Sequence, residues 1–184
     1  MSGRRTRLWA VLGVVVGVLA VAGLLSFGLT HRQTPATSPL AQRPAPSFTL
    51  PGLDGRPEST VGLSALRGHV VVVNFWASWC TECHTEQAAL NRTWEQFRDS
   101  GVVLVGIDFE DATGDAREYV ARTGATYPMV VDAKSATALA YGLRGVPETY
   151  VIDQRGQIVD RVIGPVDYTS LAHRITGLLE GQQQ

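Results

Sequence analysis

The chain has two cysteines, Cys80 and Cys83, with Thr81 and Glu82 between them. On a helix, residues three apart lie roughly 5–6 Å from each other, close enough to be drawn into a disulfide. A disulfide closing so short a loop removes little entropy from the unfolded chain, so it is a poor staple. It is a good two-electron switch. Val70-Val71-Val72-Val73-Asn74-Phe75-Trp76, just upstream, reads as a strand buried on both faces, and a helix is expected from Cys80. Cys80 then falls in the first helical turn, where free N–H groups and the helix dipole favour an anion. The thiolate is the attacking species in thiol–disulfide exchange. Cys80 is therefore expected to be exposed and to attack first, with Cys83, deeper, resolving the mixed disulfide. Trp79 reads either as a shield over one side of Cys80 or as core. A structural zinc site needs four ligands, and His31, His69, His84 and His173 are scattered, so no metal is expected.

The elements that must hold this pair follow from the apolar periods. Leu90, Trp94 and Phe97 form the core face of the first helix, which Gly101 stops. Val102–Ile107 is a second buried strand, and 115–122 a helix with Tyr119 and Val120 inward. Met129–Val131 is a short strand, and 135–141 a short helix capped by Ser135. Residues 149–152 and Gln157–Ile163 form a hairpin turning through Asp153–Gly156, and 168–179 closes the domain as an amphipathic helix. Alternating strands and helices predict an α/β architecture: a partly parallel sheet covered on both faces, with an antiparallel edge.

Residues 1–7 carry Arg4, Arg5 and Arg7, and residues 8–29 then run without a charge. Such a stretch matches the ~20 residues of a membrane-spanning helix. Arginines ahead of it place the N-terminus in the cytoplasm and the remainder outside, a single-pass anchor in the cell membrane. A cleaved signal peptide is the competing reading, with Ala20-Val21-Ala22 as cleavage site, but that triplet sits inside the apolar run. Residues 30–45, with Pro35, Pro39 and Pro44, read as a semi-extended spacer, 46–180 as the folded domain, and 181–184 as a tail. Beyond Arg32 there are 12 basic and 17 acidic residues, a balance of −5 with no basic patch, which disfavours nucleic-acid binding.

The segment from Val72 to Cys83 resembles the active-site stretch of the TlpA/ResA/CcmG (DsbE) family of thioredoxin-like proteins. Gly145-Val146-Pro147-Glu148-Thr149-Tyr150-Val151-Ile152-Asp153 resembles the family's second landmark, a cis-proline loop entering a strand. Ala45-Pro46-Ser47-Phe48-Thr49-Leu50-Pro51 and Leu63-Ser64-Ala65-Leu66-Arg67-Gly68 resemble its opening, so the likeness covers residues 45–180. It implies a thioredoxin-like fold with an N-terminal extension and a central insertion, preceded by one transmembrane helix. It implies that Pro147 is cis and faces the Cys80–Cys83 disulfide, with Val146 offering backbone groups to a substrate strand. The Pro147-Glu148-Thr149 form is closest to the CcmG branch. That branch reduces apocytochrome c cysteines and draws electrons from a transmembrane thiol reductase of the CcdA or DsbD type. TlpA-type relatives serve copper-oxidase assembly, and ResA-type ones serve spores or haem proteins. No diffusible cofactor is implied, because the dithiol carries the electrons, and a monomer is expected.

Several acids bear on the direction of electron flow. Asn74 stands where thioredoxin carries a buried acid. Glu86 matches an acid of the ResA branch and reads either as a half-buried proton acceptor or as a surface residue. Glu148 is expected beside Pro147, across the site, and Glu82 lies between the cysteines, where it reads most simply as a solvated turn residue. Carboxylates near Cys80 disfavour its thiolate and make the couple more reducing, which points to a reductant. Two rivals share features of this sequence. A peroxiredoxin requires Thr where Ala77 stands, and here Trp79 directly precedes Cys80. A copper carrier of the Sco type has a CxxxC pair and a distant histidine, whereas this pair is CxxC and His173 falls in the last helix.

Overall fold

The computed structural model describes residues 43–181 together with residues 9, 13 and 15–18. The chain separates into two compact units, Met1–Ala36 and Thr37–Gln184. In the first unit Trp9, Gly13 and residues 15–18 are helical. The expected span at 8–29 otherwise lies outside the described residues, as do residues 1–7, 30–42 and 182–184. Among the described residues no helix is long and apolar enough to cross a membrane.

The second unit contains strands β1 (Arg43–Pro44), β2 (Thr49–Leu50), β3 (Val61–Gly62), β4 (Val70–Trp76), β5 (Val102–Asp108), β6 (Met129–Val131), β7 (Glu148–Ile152) and β8 (Gln157–Ile163). Its helices are α1 (Thr81–Phe97), α2 (Thr113–Thr123), α3 (Ala136–Tyr141) and α4 (Tyr168–Glu180). The main sheet runs β1-β8-β7-β4-β5-β6, while β2 and β3 form a separate hairpin. β4, β5 and β6 are parallel, and β7, β8 and β1 add antiparallel neighbours on the other side. A β4–α1–β5 unit and a β7–β8–α4 unit thus frame α2, β6 and α3, the place of the expected insertion. The arrangement is thioredoxin-like.

The central strand follows from its residues. All seven positions of β4 are buried, as its β-branched run requires. Val70 and Val72 point toward α1 and α4, where Leu90, Phe97, Leu171 and Ile175 close one core. Val71, Val73 and Phe75 point the opposite way, onto Phe48, Tyr141, Tyr150 and Ile152. A third cluster, at the C-terminal end of β4, gathers Leu53, Trp76, Ala77, Cys80, Cys83, Ala116 and Tyr119.

Three local expectations differ from what is seen. The sheet begins at Arg43, inside the segment assigned to the spacer, because Arg43 and Pro44 pair with Ile158 and Gln157 of β8. A two-residue strand leaves no period to read, and an edge position tolerates a proline that cannot donate. Ser135 sits at the α3 cap position with φ 53° and makes no capping bond. Asp132 caps in its place, its Oδ2 accepting from the Ala138 N–H at 2.8 Å. Finally, β5 continues past Ile107 to Asp108, which places an acid on a core strand. The N-terminal extension has a clear role: Leu53 N–H donates to Met129 O and Val131 N–H to Pro51 O, covering the outer edge of β6.

Candidate functional site

The Cys80–Cys83 pair is present as a disulfide at the strand-to-helix junction, with its Cα atoms 5.3 Å apart. Cys80 is the N-cap of α1 rather than a member of its first turn, and its Sγ accepts the Cys83 N–H at 3.1 Å. The expected stabilisation of an anion survives this shift, since the sulfur takes up one of the helix's free donors. The expected exposure does not. Cys80 is 3% exposed and Cys83 2%, because Val146, Leu53 and Tyr119 belong to the apolar cluster that encloses them.

The segment before Cys80 is held from the side by the loop after β5. Asp111 accepts the Ser78 N–H through Oδ2 and the Ser78 hydroxyl through Oδ1, the latter at 2.9 Å. Trp79 donates its indole N–H to Glu110 O at 3.0 Å while the ring stays exposed, so it flanks Cys80 rather than joining the core. Trp76, by contrast, is buried and stacked on Tyr119 at 4.8 Å. Tyr119 in turn donates toward Cys83 O at 3.2 Å and Gln87 Oε1 at 3.1 Å, tying α2 to the turn that bears the second cysteine. His84 contacts Ser78 O at 2.9 Å and meets the Tyr119 ring edge-on.

Pro147 follows a cis peptide bond, as the resemblance implied, and Val146 packs against the cysteine cluster. Glu86 lies one turn beyond Cys83 on the buried face of α1, 1% exposed. Its Oε1 accepts from Asn74 Nδ2 at 2.8 Å and its Oε2 from the Val166 N–H at 2.8 Å. Asn74 also donates to Thr149 Oγ1 at 3.0 Å, so this polar group spans β4, β7, α1 and the loop before α4. Burial pushes the Glu86 carboxyl up to about 7, against the pull of the Val166 and Asn74 donors. Glu86 is thus neither half-buried nor superficial but enclosed. Glu82 is exposed, though it belongs to the first helical turn of α1 rather than to a separate turn.

Glu148 is not brought to the site. In register it faces Phe75, whereas Asn74 faces Thr149, so Glu148 and Glu86 lie on opposite sides of the sheet. Glu148 is fully buried and ion-paired with Arg161, and also accepts from the Tyr150 hydroxyl at 2.7 Å and the Arg144 N–H at 3.1 Å. Its place next to Pro147 in sequence misleads, because successive strand residues point to opposite faces. An acid absent from the sequence reading, Asp108, stands instead on the dithiol side of β5, 2% exposed. Its only sequence signal was an acid directly ending a run of buried strand residues.

Residues 41–161 match the AhpC/TSA family. The chain is 35% identical over 166 residues to the thiol:disulfide interchange protein DsbE of Allochromatium vinosum, covering 90% of each chain. It is 32% identical to the thiol:disulfide interchange protein HelX of Rhodobacter capsulatus, covering 89% of this chain and 93% of that one. Among solved structures, a thioredoxin-family thiol:disulfide interchange protein from Chlorobium tepidum superposes with a TM-score of 0.68 at 25% identity, over 78% of this chain and 99% of that one.

Proposed function

Since the chain belongs to the AhpC/TSA family, within its group of DsbE- and HelX-like thiol–disulfide oxidoreductases, we propose that Cys80 and Cys83 are its working couple and that it acts as a reductant of protein disulfides. The observation that carries this is the disulfide itself, set at the N-cap of α1 beside a cis-proline loop and one helical turn from a buried acid. Cys80 is the sulfur that meets the substrate. It caps the helix, so its thiolate receives the Cys83 N–H and the positive end of the dipole. Attack by this thiolate on a substrate disulfide breaks that bond, forms a mixed disulfide on Cys80, and releases one substrate thiolate. Cys83 then gives its proton to the Glu86 carboxylate and attacks Cys80 Sγ, which releases the second substrate sulfur and restores the Cys80–Cys83 bond. Val146 and Pro147 form the wall against which an extended substrate strand lies, and exposed Trp79 flanks it on the other side.

The direction of flow follows from what surrounds the sulfurs. Their burial and the Glu86 carboxyl disfavour a second negative charge, opposing the Cys83 N–H and the dipole. A reduced form held back in this way makes a reducing couple. Glu148 adds nothing to this balance, because Arg161 neutralises it on the other face. The relatives' names support disulfide-bonded proteins as substrates, and the CcmG-like Pro147-Glu148-Thr149 segment supports apocytochrome c as the substrate. Electrons then come from a membrane dithiol of the CcdA or DsbD type. Residues 8–29 serve as the anchor that holds the domain on the extracytoplasmic side, and the domain acts as a monomer.

Equilibration of the domain with glutathione tests the direction: a strongly reducing couple is expected, and one as oxidising as DsbA would reverse the assignment. Cys83→Ser identifies the substrate, because the mixed disulfide on Cys80 can no longer be resolved. Accumulation of that adduct with an apocytochrome CxxCH peptide is the expected result.

A further inference from the structure

Asp108 closes β5 with its side chain among apolar neighbours. The parallel registers pair it with Trp76 on one side and Val131 on the other. Residues in register share a face, so Asp108 stands between two side chains that both pack into the cluster holding Cys80 and Cys83. It is 2% exposed, and its Oδ1 has no hydrogen-bond partner, nor has the Trp76 indole N–H on the neighbouring strand. A buried carboxyl oxygen without a donor is costly, and native proteins retain few of them. Glu148 shows the ordinary solution in this same fold, a guanidinium and neutral donors. No such ion pair is present for Asp108 among the described residues.

The titratable groups on the elements packed against this cluster do not neutralise it. From α1 come His84, turned to Ser78 O, and Glu86, held by Asn74 and Val166. From α2 come the Tyr119 hydroxyl, committed to Cys83 O and Gln87, Arg117, bonded to Leu53 O, and Arg122, paired with Glu118. The following loop supplies Glu110 and Asp111, the latter bonded to Ser78, and the end of β6 supplies Asp132, which caps α3. Burial first, and the Asp111 charge second, push the Asp108 carboxyl up to about 7 in this oxidised form.

We propose that Asp108 is a second proton-exchanging acid of the dithiol centre, serving it from the sheet side as Glu86 does from the helix side. This rests on the reading of Cys80 and Cys83 as the working couple. When a partner dithiol reduces the centre, the Cys80–Cys83 bond breaks and the partner's own disulfide forms. Two electrons and two protons pass inward. One proton stays on Cys83 as the thiol, and the other settles on the Asp108 carboxylate, so that the Cys80 thiolate is the one charge left in that cluster. Reduction of a substrate runs the same step backwards and hands the proton out again.

Redox-difference infrared spectroscopy on the full chain in detergent, oxidised against dithiothreitol-reduced at neutral pH, reads this directly. The wild type gains a carboxylic-acid C=O band on reduction, Asp108→Asn removes it, and Glu86→Gln leaves it in place. In parallel, the Cys80 thiolate titration, followed by ultraviolet absorbance, loses its coupled second step in Asp108→Asn, because no neighbouring acid exchanges a proton with it. Should Asp108→Asn fail to fold, Asp108→Glu keeps the acid in a displaced position and shifts the band instead of removing it. A band and a thiolate titration identical to wild type in the folded variant overturn the proposal while leaving the dithiol reading intact. Loss of exchange in the wild type itself sinks the dithiol reading instead.

Discussion

Glu86 and Glu148 are both enclosed, both adjoin the central strand β4, and face away from each other across the sheet. On the far face Glu148 meets Arg161, the Tyr150 hydroxyl and the Arg144 N–H. On the dithiol face Glu86 meets only neutral donors, Asn74 and Val166, and its carboxyl is pushed up to about 7. Burial is common to the two; the cation is not. A buried carboxylate with a guanidinium is a structural charge, whereas one with amide donors alone stays near its own titration point at neutral pH. The same contrast separates Asp108 from Glu148, and it places both titrating acids on the side of the sulfurs.

The contrast can be broken or sharpened by substitution. The largest expected effect is Cys80→Ser, which abolishes reduction of a small disulfide while leaving the thermal melt near that of the reduced wild type. Any residual turnover above buffer would remove Cys80 from its role. Next is Arg161→Met, which leaves Glu148 buried without its cation and should cost about 3–5 kcal/mol in denaturant unfolding. The folded fraction should keep the wild-type glutathione equilibrium; a changed potential would mean that the far face does reach the sulfurs. Glu86→Gln should slow resolution of the mixed disulfide about tenfold, roughly 1.4 kcal/mol, in rapid-quench measurements. It should also flatten a pH effect on stability. Glu86 is raised from 4.5 to about 7 in the folded chain, so between those values the folded form holds a proton that the unfolded form lacks. That contribution is fully present at acid pH and is lost as pH rises through 7, so the wild-type melting temperature should fall across this window and the variant's should fall less, Asp108 still titrating there. The smallest change is Tyr119→Phe, which removes the hydroxyl bonded to Cys83 O and Gln87 at a cost of about 1 kcal/mol by denaturant titration.

Much of the fold was legible. The valine run of β4, the apolar spacing of α1 and the turn at Asp153–Gly156 are local patterns, and each formed where its residues indicated. The elements that escaped had too few residues to carry a period or depended on distant partners. β1 has two residues and exists only because β8 offers an edge. Ser135 has the composition of a cap, yet a left-handed backbone hands that task to Asp132. In the site, the cysteines and Trp79 stood out by type and spacing, and Pro147 through the family resemblance. The sides on which Glu86, Glu148 and Asp108 fall did not.

What the residues determined alone was the cysteine pair: two sulfurs three positions apart, following a buried strand and opening a helix, a matter of covalent spacing and local periodicity. Tertiary structure decided the state of every acid around them. Glu86 takes its donors from Asn74, 12 residues away, and Val166, 80 residues away. Glu148 finds its cation 13 residues on, across a hairpin. The charge of a buried carboxyl depends on which groups replace its lost water, and those groups arrive only when the strands and helices pack.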